Sequence, residues 1–407
     1  MYTYKVGIKA QEHDAFVIAN PACNLLQSSN WGKIKDNWEQ ELIGFYQGET
    51  LVASASILIK KLPLKRSMLY IPRGPIMDYT NYELVDFVVS SLKKYGQSQK
   101  AIVIKCDPTL FIKQFLADAD PETIEENDIT PTIINFLAKR GLEWSGPTKD
   151  IAQTIQPRFQ ANLYKQDFSL ENLPKKTKQA IRTAQNKGIE ITIGGMELLE
   201  DFSQLMKKTE ERKGINLRGI HYYRKLMTTY SDKNSYITMA RLNLIERHQL
   251  LNQQLEKAHQ EQAKFTEKTK EGKKKETANA ISRIQQELDF LDEKIAAGQT
   301  LVPLVATLSL IFGKTSENLY AGMDEEYRHY QVALLTWFET AKQAFDKGCD
   351  WQNMGGIENQ LDGGLYSFKS KLNPTIEEFA GEFNIPVSLL HKPVMLAYNV
   401  RKKLRSK

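Results

Sequence analysis

Apolar residues recur with two different periods along the chain, and the periods alternate in the same order in both halves. Residues 51–59 (LVASASILI) alternate as a half-buried strand does, and 69–78 (LYIPRGPIMD) reads as a second strand. A stretch of helical period follows from about residue 81 to 95, and 101–105 is a short apolar run of the buried-strand kind, closed by Asp107-Pro108. The second half repeats the series with 301–313 (LVPLVATLSLIFG), 319–324 (LYAGMD), a helical stretch from about 332 to 347, and a strand at 351–354 followed by Gly355-Gly356. Leu-Tyr opens the second strand each time.

This repeat of architecture predicts an α/β fold with two GNAT-like acyltransferase domains, the first over 1–152 and the second over 153–240 and 299–396. The intervening residues 241–298 have another pattern. Leu244, Leu251, Ala258 and Phe265 fall seven apart with Leu255 on the same seam, and Ile281, Ile284, Leu288, Leu291 and Ile295 follow a 3-4-3-4 spacing. Two such stripes around a polar, Gly-containing tip predict an antiparallel coiled-coil hairpin inserted in the second domain. Its limbs would reach roughly 35–40 Å at about 1.5 Å per residue. The tip is rich in lysine, and Lys273, Lys274 and Lys275 either are solvated or meet the phosphates of a long ligand such as tRNA. Residues 397–407 form a basic tail that suits an anionic lipid surface or simply solubilises the chain.

Composition narrows the class only slightly. A chain of 407 residues with 41% hydrophobic and 26% charged residues is ordinary for a folded protein of more than one domain. The net charge of +6 fits a polyanionic partner such as tRNA, a pyrophosphate or an anionic membrane, without choosing among them. Cys23, Cys106 and Cys349 lie far apart, so a reducing compartment is expected rather than a disulfide framework or zinc site. The first residues lack the basic and apolar regions of a signal peptide, and the longest apolar run, 301–312, is too short to span a bilayer. A cytoplasmic protein that meets lipid only from the surface is the expectation.

Three constellations carry candidate chemistry. In 27–35 (QSSNWGKIK) a short amphipathic helix would place Trp31, Lys35 and Trp38 on one face, as core tryptophans with a snorkelling lysine or as a platform for a sugar and a phosphate. Arg218 and Tyr222, one helical turn apart if a helix begins there, form either a surface pair or a fork for a phosphate or carboxylate. Gly363-Gly364 precedes a short helix bearing Phe368 and Lys369; the lysine is either a surface residue or a cation for the charge that develops when an ester carbonyl is attacked. No Gly-x-Ser-x-Gly, Walker loop, Cys–His signature or metal-ligand cluster occurs. The pyrophosphate loop of acetyl-CoA-dependent GNAT enzymes is also missing; its nearest match, residues 352–357, fails at the last position.

With QSSNWGKIK, YIPRGPIMD, IKCDP, TEERKGINLRGIHYY, LYAGMD and GGLYSFKSKLNP in this order around the inserted hairpin, the chain resembles the Fem/MurM family of peptidoglycan branching enzymes along nearly its whole length, most of all its MurM branch. The resemblance implies paired GNAT halves and transfer of serine or alanine from seryl- or alanyl-tRNA to the stem-peptide lysine of lipid II. It further implies peripheral contact with the cytoplasmic membrane face, no DNA partner, and no cofactor beyond the tRNA co-substrate. It assigns precursor binding to Lys35, Arg218 and Tyr222 with Trp31 and Trp38 alongside, and sets Lys369 after Phe368 near the aminoacyl ester. Asp107 takes the family's Asp-Pro position as a candidate proton acceptor, and Tyr320 lies in its Tyr-Ala-Gly strand. An acyl-CoA-dependent N-acyltransferase and a non-catalytic tRNA- or cell-wall-complex binding protein are the rival readings.

Overall fold

The computed structural model describes residues 1–394 and 396; the basic tail expected at 397–407 lies outside them. The chain begins with β1 (Tyr2–Val6), α1 (Ala10–Ala19), β2 (Glu39–Gln47), β3 (Thr50–Leu62), β4 (Arg66–Ile71), β5 (Ile76–Met77), α2 (Tyr82–Ser98), β6 (Ala101–Cys106) and β7 (Phe111–Leu116). It continues through α3 (Ile129–Lys139), β8 (Glu143–Trp144), β9 (Phe159–Tyr164), α4 (Lys175–Asn186), β10 (Ile189–Gly194), α5 (Leu199–Lys213), α6 (Ile220–Asn234) and β11 (Ser235–Asn243). The hairpin helices α7 (Leu244–Ala263) and α8 (Glu271–Ala296) follow, then β12 (Leu301–Phe312), β13 (Thr315–Met323), α9 (Val332–Asp346), β14 (Trp351–Gly356), α10 (Gly364–Lys369), β15 (Thr375–Phe379) and β16 (Phe383–Pro386).

The strands form two sheets, ordered β1-β2-β3-β4-β6-β16-β8 with β5 added beside β3, and β10-β11-β12-β13-β14-β9-β15-β7. Each sheet has one parallel pair, β4 with β6 and β13 with β14, and in each a helix (α2 or α9) makes the crossover between the partners. The predicted duplication is therefore present as the series β3-β4-α2-β6 and β12-β13-α9-β14. The sheets also exchange strands: β7, early in the chain, is hydrogen bonded in the second sheet, while β16, near its end, lies in the first.

One expected strand is broken. Over 69–78, β4 ends at Ile71, and Pro72-Arg73-Gly74-Pro75 separate it from the two-residue β5. Prolines cannot donate to a ladder, and Arg73 adopts a left-handed φ of 50°, which turns the chain out of the sheet. The helix expected at 27–35 is likewise replaced by two three-residue turns of 3-10 type, Leu25–Gln27 and Gly32–Ile34. Local polar side chains take the backbone donors there: Asn24 Oδ1 accepts from Leu26 N–H and Asp14 Oδ1 from Ser29 N–H.

One core lies within the first sheet and its helix α2, and another covers the second sheet beneath α4 and α9. A third is shared: Val17, Trp31, Leu58 and Tyr70 from the first half pack with Phe202, Tyr223, Leu226, Met239 and Leu308 from the second. Each such side chain, when fully buried, contributes about 1.5–3 kcal/mol, so this common core binds the halves into one body. The hairpin is rooted in the second core through Leu244, Leu251, Leu288 and Leu291, and a buried Arg247–Glu287 ion pair of 2.8 Å bolts its two helices together.

Candidate active site

Two cations meet where α6 abuts the turn after Trp31. Lys35 Nζ sits 4.1 Å from the Trp31 ring centroid, and the Arg218 guanidinium lies 5.0 Å from that of Tyr222. Burial, and then the charge of Arg218, push the Lys35 ammonium down to about 8. Neither cation has an ion pair with a carboxylate of the described residues; nearby Asp36 is taken by Lys225. Lys35 is half-buried and Arg218 exposed, so the cost of the like charge falls on Lys35, and an anion between the two relieves it. The junction is pinned independently of any ligand by Ser28 Oγ to Tyr230 Oη (2.6 Å) and by Asn30 Nδ2 donating to Thr229 O (3.3 Å). Gly219 caps α6, so Arg218 precedes the helix, and its guanidinium reaches Tyr222 across the ring face rather than by a helical turn. Trp31 is both a core residue and the seat of Lys35, whereas Trp38 packs against Tyr70 with Lys60 above it.

On the same side of the second sheet a cleft of about 770 Å³ opens between β13 and β14. Pairing between these strands runs only from Thr315–Trp351 to Glu317–Asn353, after which they diverge. A bulge in β13 sets Tyr320 opposite Leu308 and Asn318 opposite Ser309. With its amide oriented so that donors meet acceptors, Asn318 donates across this bulge to Leu308 O (3.1 Å) and Tyr320 O (3.0 Å). Tyr320 lines the cleft and touches the rings of Tyr222 (6.3 Å) and Tyr223 (5.0 Å), so one side chain joins the cleft to the cation pair.

Lys369 forms the floor of the cleft. Its ammonium is buried, donates to Gly356 O at 2.9 Å and lies 5.8 Å from the Trp337 ring, which makes a T-shaped contact with Phe368 at 5.8 Å. Gly355 has a φ of 86°, and a Cβ there would stand 3.4 Å from Lys369 Nζ, so the paired glycines are the lysine's seat. Glu358 accepts from Leu365 N–H and Tyr366 N–H (both 2.9 Å) and so fixes the short helix that carries Lys369. Burial pushes the ammonium down to about 7, with Glu358 pulling the other way and Lys213 adding to the push. A lysine so placed can hold or release its proton near neutrality, and as a cation it can meet negative charge developing in the cleft.

A family model describing the FemAB family matches residues 8–399, nearly the whole chain. The chain belongs to the FemAB family. The lipid II:glycine glycyltransferase of Staphylococcus aureus (strain MRSA252) is 28% identical over 404 residues, covering 93% of this chain and 92% of that protein. A second S. aureus protein of that name (strain Mu50 / ATCC 700699) is 28% identical over 414 residues, 96% of this chain and 94% of its own length. The crystal structure of FemX superposes with a TM-score of 0.74 at 26% identity, over 97% of this chain and 99% of its own.

In this FemAB chain Asp107 does not reach the cleft. It is buried at the end of β6, with Tyr70 Oη donating to Oδ2 (2.7 Å) and Arg73 N–H to Oδ1 (2.6 Å). Burial raises its carboxyl to about 6, against the pull of Arg73 and Tyr70. Lys273 pairs with Glu261 (2.9 Å) and Lys274 with Glu271 (2.7 Å), which leaves exposed Lys275 as the member of the predicted tip trio without an ion pair among the described residues. Sequence reading missed Trp337, Glu358, Tyr70 and Arg73. The first two sit in a helix and a loop where nothing local marks them. Arg73 had a signal in the prolines flanking its turn, which argue against a continuous strand.

Proposed function

We propose that this FemAB chain transfers an amino acid from aminoacyl-tRNA to the ε-amine of the stem-peptide lysine of lipid II. Serine or alanine is the residue proposed, and glycine, carried in the relatives' names, is its competitor. The uncompensated pair Lys35 and Arg218 carries the reading, since an aromatic-lined, doubly cationic site suits the pyrophosphate of a lipid-linked sugar precursor. The cleft joined to it through Tyr320 supplies the second substrate's place. No helix among the described residues is long and apolar enough to cross a membrane, so the proposed contact with lipid II is peripheral, from the cytoplasmic face.

The reaction is aminolysis of an ester. The lysine nitrogen bonds to the acyl carbon, the bond from that carbon to the ribose oxygen breaks, the amine loses a proton and the ribose oxygen gains one. The protein holds the two substrates in line, and well-oriented partners can save about 7–11 kcal/mol of barrier. Lys369 Nζ, held by Gly356 O, meets the oxyanion of the tetrahedral intermediate or the terminal phosphate of the tRNA. Lys275 and its neighbours on the hairpin tip are proposed to meet tRNA phosphates further from the cleft.

The test is transfer of labelled glycine, alanine and serine from their tRNAs to lipid II, with acetyl-CoA as a control donor. RNase-sensitive label on the stem-peptide lysine supports the reading, and the ratio among the three names the donor. Label from acetyl-CoA without tRNA would replace it with the acyl-CoA reading. Lipid II binding without transfer from any tRNA would leave a binding protein.

A further inference from the structure

Helix α4 carries Lys175, Lys176, Lys178 and Arg182, ends at Lys187, and contains no acid. Its inward face is Thr177, Ala180, Ile181 and Ala184, all buried, and it packs on α9 and the second sheet. By the helical period, Lys175, Gln179, Arg182 and Asn186 line the opposite face, with Lys176 and Lys178 on its flanks. Lys175, Lys176 and Arg182 are exposed. Lys178 and Lys187 donate to backbone oxygens, those of Glu171 and His329, each at 3.0 Å. None of these cations has an ion pair with a carboxylate of the described residues. A helix face of one sign repels itself and is relieved by a polyanion.

The place of α4 in the fold turns this patch into a track. At its first turn Thr177 Oγ1 donates to Lys371 O at 2.6 Å, just past the cleft lysine Lys369, and exposed Lys371 extends the row of cations. At its far end Lys187 Nζ lies 4.8 Å from the Tyr330 ring, and the neighbouring His329 meets Phe290 of the hairpin helix α8 at 5.6 Å. The row therefore runs from the cleft to the hairpin, over roughly 18 Å at about 1.5 Å per residue. It lies across the second sheet from α5 and α6, and so from Arg218. The chemistry of the face selects its partner. A helix that rests on a membrane brings large apolar side chains to the interface, whereas Ala180, Ile181 and Ala184 of α4 are committed to the core. Its outer positions interleave cations with Gln179, Gln185 and Asn186, groups that suit the phosphates and ribose hydroxyls of RNA. We propose that α4, with Lys371, is the docking surface for the acceptor stem of the aminoacyl-tRNA, holding the duplex just outside the cleft that takes its 3′ end. The inference rests on the proposed transfer reaction for the identity of the RNA, and adds a surface that reading does not name.

The experiment compares the full-length parent with the triple variant Lys175→Gln/Lys178→Gln/Arg182→Gln and the charge-keeping triple Lys175→Arg/Lys178→Arg/Arg182→Lys. The probes are uncharged tRNA and an RNA hairpin holding only an acceptor stem and its 3′ end, each titrated at several salt concentrations. Phosphatidylglycerol vesicles are the competing anion. The glutamine variant should bind both RNAs about tenfold or more weakly near 0.1 M salt, and lose about 2 from the slope of log affinity against log salt. The charge-keeping variant should match the parent's slope. In transfer, KM for aminoacyl-tRNA should rise about tenfold in the glutamine variant while KM for lipid II stays within about threefold. The replaced side chains lie outside the core, so the melting temperature should move little. Parental RNA affinity and slope in the glutamine variant overturn the inference. So does a charge-keeping variant as weak as the glutamine one, a loss confined to vesicles, or a loss seen with whole tRNA and not with the acceptor hairpin. Should the parent transfer nothing from any tRNA, the proposed function fails, and the RNA titrations still decide the inference.

Discussion

The two parallel strand pairs share one arrangement and are put to different uses. In the first sheet β4 and β6 stay paired from Ser67–Ala101 to Ile71–Cys106, and just beyond them Asp107 accepts from Tyr70 Oη and Arg73 N–H. In the second sheet β13 and β14 part after three residue pairs, and the space beyond is the cleft with Lys369 at its floor. A splayed pair exposes backbone and invites a ligand, whereas a closed pair with a polar plug makes a strut. The repeated arrangement thus leaves one half open, with Lys369 in its cleft, and the other closed, while Lys35 and Arg218 lie where the two abut.

The largest effect that separates these roles should come from the floor of the open pair. Lys369→Met should lower kcat by about 100- to 1,000-fold, as removal of one donor to a developing oxyanion does, with lipid II affinity nearly intact. The comparison breaks if kcat in a transfer assay is close to the parent's. Next comes Gly355→Ala. Its φ of 86° costs a non-glycine residue about 1–2 kcal/mol, and the new methyl would come into contact with Lys369 Nζ at 3.4 Å. A loss of roughly tenfold in kcat with a modest drop in melting temperature is expected, and an unchanged kcat would free Lys369 from dependence on its glycine seat.

Proton dependence should distinguish the two lysines. Each is held below the usual lysine range, Lys369 at about 7 and Lys35 at about 8, so each is charged below that pH and loses charge above it. Both face anions in the proposed reaction. Hence kcat/KM for the aminoacyl-tRNA should fall by up to about tenfold per pH unit above the Lys369 value, and lipid II affinity should fall likewise above the Lys35 value. Lys369→Arg and Lys35→Arg should each abolish one limb and spare the other. If either substitution moves both limbs, the half-sites are not separate.

The sequence disclosed the halves of this arrangement better than their junction. Alternation at 51–59 and 301–313, the heptads of the hairpin and the helix ending at Lys213-Gly214 are periodic or punctuated signals, and each corresponds to an element. Lys35, Arg218 and Tyr222 could be named from motifs, and they meet in space. Arg73 and Glu358 could not, since a plug and a helix-end carboxylate are defined by what arrives from elsewhere in the chain. Trp38, expected beside Lys35 on helical spacing, packs on Tyr70 because the expected helix is two 3-10 turns.

The smallest kinetic effect should come from loosening the strut itself. Tyr70→Phe keeps the ring among Trp31, Leu58 and Ile76 in the shared core and removes only the hydroxyl that donates to Asp107 Oδ2. A hydrogen bond to a charged group contributes about 1.5–3 kcal/mol, so the variant should unfold at measurably lower denaturant with little change in the slope of its transition. If the first pair only braces, kcat should stay within about threefold of the parent, because stability lost at a strut leaves the folded population's geometry intact. A kcat that falls as far as in Lys369→Met, with the fold retained, would place Tyr70 and Asp107 among the groups that act on the substrates. The closed pair would then be a second working half rather than a brace, and the division between the two sheets would have to be drawn elsewhere.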